Sequence, residues 1–183
     1  MERHQDLMRL STNIEHSPVN ITANFRAKLI AEIDDQFERK TEAHLDAGKY
    51  GPTFLRQPEL MQIVLNGWMY FERAGEVEVH AVCVMPNHVH AVVSQPRGRQ
   101  PICPGKLMRR HKTFTANQCN RLLGRTGQAF WATNYFDRTI RRGRYSAVIK
   151  YVLCNAVAAG LVRSWQEWPG VYLNPRFAER VSW

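Results

Sequence analysis

Two histidines two residues apart, His88 and His90, carry the sharpest chemical signal in the chain. They stand in the run Asn87-His88-Val89-His90-Ala91-Val92-Val93, whose branched apolar residues favour an extended backbone. On a strand, side chains two apart leave the same face, so the two imidazoles project side by side. Neutral imidazoles placed that way form a two-point claw for a divalent cation. The plainer alternative is a pair of half-exposed polar side chains. A histidine triad would need a third histidine at position 92, which is Val92. Two ligands hold a metal loosely and leave coordination positions for a phosphate, so a third protein ligand has to come from elsewhere. Tyr151 and Asn155, four residues apart, share one face of a helix. There the Asn155 amide oxygen would complete the metal site while the Tyr151 hydroxyl lies beside the bound phosphate. Tyr151 also stands beside Val148 and Val152, a setting that suits a packed core tyrosine.

The elements that must position these residues follow from periodicity. A strand over 76–84, with Val77, Val79, Ala81 and Cys83 on one face, is joined to the histidine strand over 88–94 by Met85-Pro86-Asn87, which predicts an antiparallel hairpin. Upstream, residues 19–25 alternate at period two, and Leu29, Ile30, Ile33 and Phe37 recur at helical spacing toward a stop at Gly48. A second helix starts at Pro58 and carries the stripe Leu60, Ile63, Val64, Gly67, Trp68 and Phe71 before Gly75 ends it. A Pro- and Gly-rich connector leads to a basic helix over 106–123, with Leu107, His111, Phe114 and Leu122 pointing inward. A short strand over 134–140 and a last helix over 146–159, stopping near Gly160, complete the order. Strand, helices, two strands, helix, strand, helix is the ferredoxin-like split βαβ pattern. The expected class is α+β, an antiparallel sheet covered by helices on one side.

Charge narrows the partners. The 183 residues carry a net charge of +9, unevenly spread. Residues 1–96 hold nine Lys and Arg against thirteen Asp and Glu, whereas residues 97–150 hold thirteen against Asp137 alone. Concentrating cations in one stretch costs self-repulsion that a polyanion relieves, although a solvated basic surface would also account for it. Arginine dominates, and its forked guanidinium suits phosphate. The candidate phosphate contacts are Lys106, Arg109, Arg110, Lys112, Arg121 and Arg125 on and just after the basic helix, with Arg138, Arg141, Arg142 and Arg144 beyond it. The opening twenty residues are polar, no apolar run is long enough for a bilayer, and the four cysteines form no CxxC pair. The chain therefore reads as soluble, reduced and cytoplasmic, with no membrane partner.

The string Val84-Met85-Pro86-Asn87-His88-Val89-His90 resembles the signature of the REP-associated tyrosine transposases, single-strand DNA transposases of the HUH class. Leu55-Arg56-Gln57-Pro58-Glu59-Leu60 is similar to the family's lead-in, Phe130-Trp131 with Tyr135-Phe136-Asp137 to its aromatic strand, and residues 151–162 to its nucleophile stretch. Trp168-Pro169 and Tyr172 echo its closing segment. The resemblance implies that His88, His90 and Asn155 bind one Mg²⁺ or Mn²⁺ and that Tyr151 is the nucleophile. It also implies nicking and rejoining of single-stranded DNA through a 5′-phosphotyrosine, beside a hairpin that supplies the address. The expected organisation is a polar segment over 1–18, the catalytic domain over 19–175 and a tail over 176–183, acting as a monomer or homodimer. The chain departs from the family in having Asn155-Ala156 for Asn-Pro and Asp137-Arg138 for Asp-His, and in matching poorly up to Phe25. Two other classes compete: a catalytically silent nucleic-acid-binding regulator of the same fold, and a metal-dependent nucleotide hydrolase. A covalent protein–DNA adduct separates all three.

Overall fold

A computed structural model describes residues 51–100 and 103–181. The segment 1–18, the strand expected over 19–25 and the helix toward Gly48 lie outside the described residues. After a 3-10 turn (Phe54–Arg56) come α1 (Pro58–Arg73), β1 (Glu78–Val84), β2 (Val89–Ser94), α2 (Pro104–Leu122) and α3 (Tyr145–Ala158). A second 3-10 turn (Trp165–Glu167), β3 (Val171–Leu173) and α4 (Pro175–Ala178) follow.

The start of α1 is set by local chemistry. Pro58 occupies the first turn, where its missing N–H costs nothing, while Glu59 and Arg73 complement the two ends of the helix dipole. In α2, Leu107 and His111 are buried as expected, but Phe114 and Leu122 are 49% and 63% exposed. The reason is the close approach of α1 at Gly67, where a Cβ would come within 2.9 Å of His111 Nε2 and 3.1 Å of Thr115 Cγ2. Thr115 and Cys119 take the inward row beside His111, and the bulkier Phe114 is turned out.

The sheet has the order β2-β1-β3, and both pairings are antiparallel. β1 is central and reads as a nearly continuous apolar run, the pattern of a strand buried on both faces. Its register slips between Val79, opposite Val93, and Ala81, opposite Val92, so His80 is an extra residue that flips the alternation. Val77, Val79, Val82 and Val84 consequently pack with α1 and α2, whereas Ala81, Cys83 and Met85 pack with Ile149, Val152, Leu153 and Ala156 of α3. Two expectations are corrected here. The four residues expected on one face of β1 divide between two, and helices cover both faces of the antiparallel sheet rather than one.

Residues 134–140 form no strand; their side chains up to Thr139 are exposed, so no face exists to bury. The place beside β1 is taken by β3. Val84 N–H donates to Gly170 O at 2.8 Å and Trp168 Nε1–H donates to Val84 O at 2.8 Å. A Cβ on Gly170 would stand 2.5 Å from that carbonyl, so only glycine fits. The stretch set apart as a tail is part of the packed structure as far as Val181, since Phe177 and Val181 are both 4% exposed.

Candidate active site and nucleic-acid interface

The hairpin that carries the histidines is held from outside. Leu55 N–H donates to Pro86 O at 3.1 Å and Met85 N–H to His88 O at 2.9 Å, which fixes the turn between β1 and β2. From it, His88 and His90 project together with their Nε2 atoms 3.0 Å apart. His88 Nδ1 lies 2.8 Å from Asn87 Oδ1. An amide oxygen only accepts, so the His88 proton sits on Nδ1 and the Nε2 lone pair is left facing His90. Burial lowers the His88 pKa to about 3, helped by the neighbouring His90, and that of His90 to about 4. Both rings are therefore neutral near pH 7. Asn87 is the orienting residue that sequence reading passed over, although it adjoins the pair.

α3 brings the second half. Tyr151 is 43% exposed, not the core tyrosine that its neighbours allowed, and its ring stands edge-on to His90 with centroids 5.5 Å apart. One turn later Asn155 is 2% exposed, and its Oδ1 is buried without a hydrogen-bond partner. A lone buried amide oxygen costs about 1–3 kcal/mol unless something meets it.

The residues fit a divalent ion. Two metal–imidazole bonds of ~2.1 Å meeting at a right angle span about 3.0 Å, and the Nε2 atoms are 3.0 Å apart. Among the described residues no cluster of three His, Cys, Asp or Glu exists, so a third protein ligand has to be of another type, such as an amide. Asn155 supplies an orphaned amide oxygen on the helix that carries Tyr151.

A half-buried polar chain, not legible in the sequence, ties the start of α3 to the β1 bulge. Ser94 Oγ donates to Glu78 Oε2 at 3.2 Å, so it accepts from His80 Nε2–H at 2.8 Å. His80 Nδ1 is then left to accept the Tyr145 hydroxyl proton at 2.8 Å. His80 also stacks on Phe177 at 3.8 Å. Desolvation lowers its pKa, which keeps the chain in this polarity. The available clue was one histidine within the apolar run that follows Glu78.

The basic residues divide by how far they are already engaged. Arg110 pairs with Glu76 at 3.0 Å and lies over the Phe71 ring. Lys112 Nζ donates to the carbonyls of Ala132 and Asn134, each at 2.9 Å. Arg125 covers the Phe54 ring and bonds Gln128 Oε1 at 2.9 Å. Lys106, Arg109 and Arg121 are exposed on α2, while Arg138, Arg141, Arg142 and Arg144 are exposed in the irregular segment before α3. No helix among the described residues is long and apolar enough to cross a membrane.

Comparison with known proteins gives one family match and one structural likeness. A solved structure described as a REP-associated tyrosine transposase bound to a REP hairpin aligns with a TM-score of 0.48 and 22% identity, covering 65% of this chain and 65% of that one. No curated protein matches the sequence. The family model for IS200-like transposases matches residues 59–155, a span that opens at the start of α1 and takes in both histidines, Tyr151 and Asn155. Since that span exceeds half of the 183 residues, the chain belongs to the IS200-like transposase family.

Proposed function

We propose that the chain nicks and rejoins single-stranded DNA next to a hairpin, with Tyr151 as nucleophile and His88, His90 and Asn155 holding one Mg²⁺ or Mn²⁺. The observation that carries this reading is the meeting of β2 and α3. An exposed Tyr151 stands against His90, whose Nε2 is 3.0 Å from that of His88. When bound, the ion supplies positive charge at a non-bridging phosphate oxygen and eases attack on an anionic diester. Tyr151 Oη forms the new bond to phosphorus as the bond to the 3′ oxygen breaks. The phenol proton is lost to water, and the departing 3′ oxygen takes one up. The products are a 5′-phosphotyrosine and a free 3′-hydroxyl. Because the phosphoester energy is kept in that linkage, a 3′-hydroxyl reverses the step and rejoins strands without ATP. The hairpin as address rests on the sequence resemblance to REP-associated tyrosine transposases, and the exposed arginines of residues 138–144 are the contacts assigned to its phosphates on this reading.

The test is Tyr151→Phe. It removes one oxygen from a side chain 43% exposed, so stability and hairpin binding should stay near wild type. The denaturation-resistant protein–DNA adduct formed with a hairpin carrying a single-stranded flank should disappear. An adduct that persists would overturn the assignment.

A further inference from the structure

Between α2 and residues 128–135 lies an open groove of about 450 Å³, within the size range of small-ligand sites. Phe130, Trp131 and Tyr135 line it together with Arg109 and Lys112 of α2. Its wall has no regular secondary structure, yet it is pinned along its length. Asn120 Nδ2 donates to Gln128 O at 2.7 Å, Trp131 Nε1–H to Thr115 Oγ1 at 2.9 Å, and Lys112 Nζ to Ala132 O and Asn134 O. Tyr135 closes one end: a Cβ on Gly105 would lie 3.5 Å from its hydroxyl. Packing explains part of the aromatic content, because Phe130 stacks on Phe54 at 6.0 Å. It leaves Tyr135 36% exposed, with Lys112 Nζ 5.6 Å from the centre of its ring on one side. Packing does not explain Arg109, an exposed cation with no hydrogen bond or ion pair among the described residues.

We propose that this groove is a slot for one unpaired nucleobase of the DNA substrate, stacked against Tyr135 and Trp131 with its phosphate on Arg109. This rests on the reading of the chain as a single-strand DNA enzyme and deepens it. Every base has a π-face, so aromatic rings bind an unpaired base whatever its identity, and a guanidinium in the wall selects a ligand bearing an anion. The pinned wall lowers the ordering cost of binding. A duplex cannot use the slot, since its bases are stacked on one another. The slot therefore engages the single-stranded flank and leaves the stem to the exposed arginines.

The probe is a DNA hairpin with a single-stranded oligothymidine flank, some thymines replaced by 5-iodouracil, irradiated at low salt and mapped by mass spectrometry. The crosslink is expected at Trp131 or Tyr135. Replacing the flank bases by abasic spacers should weaken wild-type binding about ten-fold. Tyr135→Ala and Arg109→Ala, both at exposed positions, should each remove most of that difference while keeping the wild-type melting temperature. Crosslinks confined to Phe114, Phe136 or α3, or equal abasic sensitivity in wild type and both variants, would overturn the slot while the Tyr151 adduct still forms. Absence of both hairpin binding and adduct would overturn the underlying reading, and the slot with it.

Discussion

The unpartnered oxygen of Asn155 allows the proposed metal site to be tested through stability alone. Asn155 is 2% exposed and its Oδ1 has no hydrogen bond, so in metal-free protein it is a destabilising group, which the proposed ligand role would account for. Asn155→Leu keeps the branched outline and removes the polar atoms on a helix whose other buried residues, Ile149, Val152, Leu153 and Ala156, are apolar. Relief of an unsatisfied buried amide is worth about 1–3 kcal/mol, less what the non-planar leucine head costs in packing. For a domain of this size that is a rise of about 2–10 °C in Tm. Thermal unfolding in EDTA and then with excess Mn²⁺ reads both sides of the argument. In EDTA the variant should melt above wild type. With Mn²⁺ at about a hundred times its Kd, wild type should gain about 2.7 kcal/mol, and the variant should lose most of that gain along with cleavage. A variant that melts lower in EDTA and keeps the full Mn²⁺ response would refute the idea that this oxygen is reserved for a ligand.

Four further outcomes are expected. Replacing Arg141, Arg142 and Arg144 together by Ala should reduce the log–log salt slope of hairpin affinity by about 2.7 if they meet a duplex stem and about 2.1 if they meet a single strand. Over a four-fold rise in salt that is about forty-fold against twenty-fold, measured by fluorescence anisotropy; an unchanged slope removes the cluster from the interface. Burial lowers the His111 pKa from 6.5 to about 4, so the folded state holds this ring neutral. Its contribution is complete above pH 6.5 and is lost as pH falls toward 4, about 3 kcal/mol over that window; His111→Gln should flatten the acid side of the stability profile by a comparable amount. Trp168→Phe removes the donor to Val84 O and should cost about 1 kcal/mol by chemical denaturation. Gly170→Ala should cost more, because its Cβ meets rigid backbone at 2.5 Å rather than a movable side chain.

What the sequence disclosed and what it hid follow from how local each signal is. Pro58, the stripe from Leu60 to Phe71 and the Met85-Pro86-Asn87 break act within one element or one turn, and α1 and the β1–β2 hairpin stand where those residues put them. The same locality made His88 and His90 legible, since a two-residue spacing on a strand needs no partner to fix its direction. The bulge at His80 depended on pairings with Val93 and Val92 and on a hydroxyl from Tyr145, sixty-five residues away, so the period-two reading carried straight through it. β3 has only three residues and is held by Trp168 and Gly170 against Val84, a contact no window of sequence contains.

The aromatic stretch around Phe130 to Phe136 was misread for a related reason. The short strand expected over 134–140 needs some surface to cover one of its faces. In this chain residues 132–139 are exposed, and the segment is tied to α2 by side chains: Trp131 Nε1–H donates to Thr115 Oγ1, and Lys112 Nζ donates to the carbonyls of Ala132 and Asn134. Irregular backbone pinned by side chains keeps a fixed shape without spending its amides on a ladder, and so it leaves ring faces and backbone polar groups open to a ligand. The segment expected as a strand over 134–140 thus overlaps, at Tyr135, the groove proposed for an unpaired base. The failure and the proposed use share a physical cause at Tyr135, whose side chain stays 36% exposed.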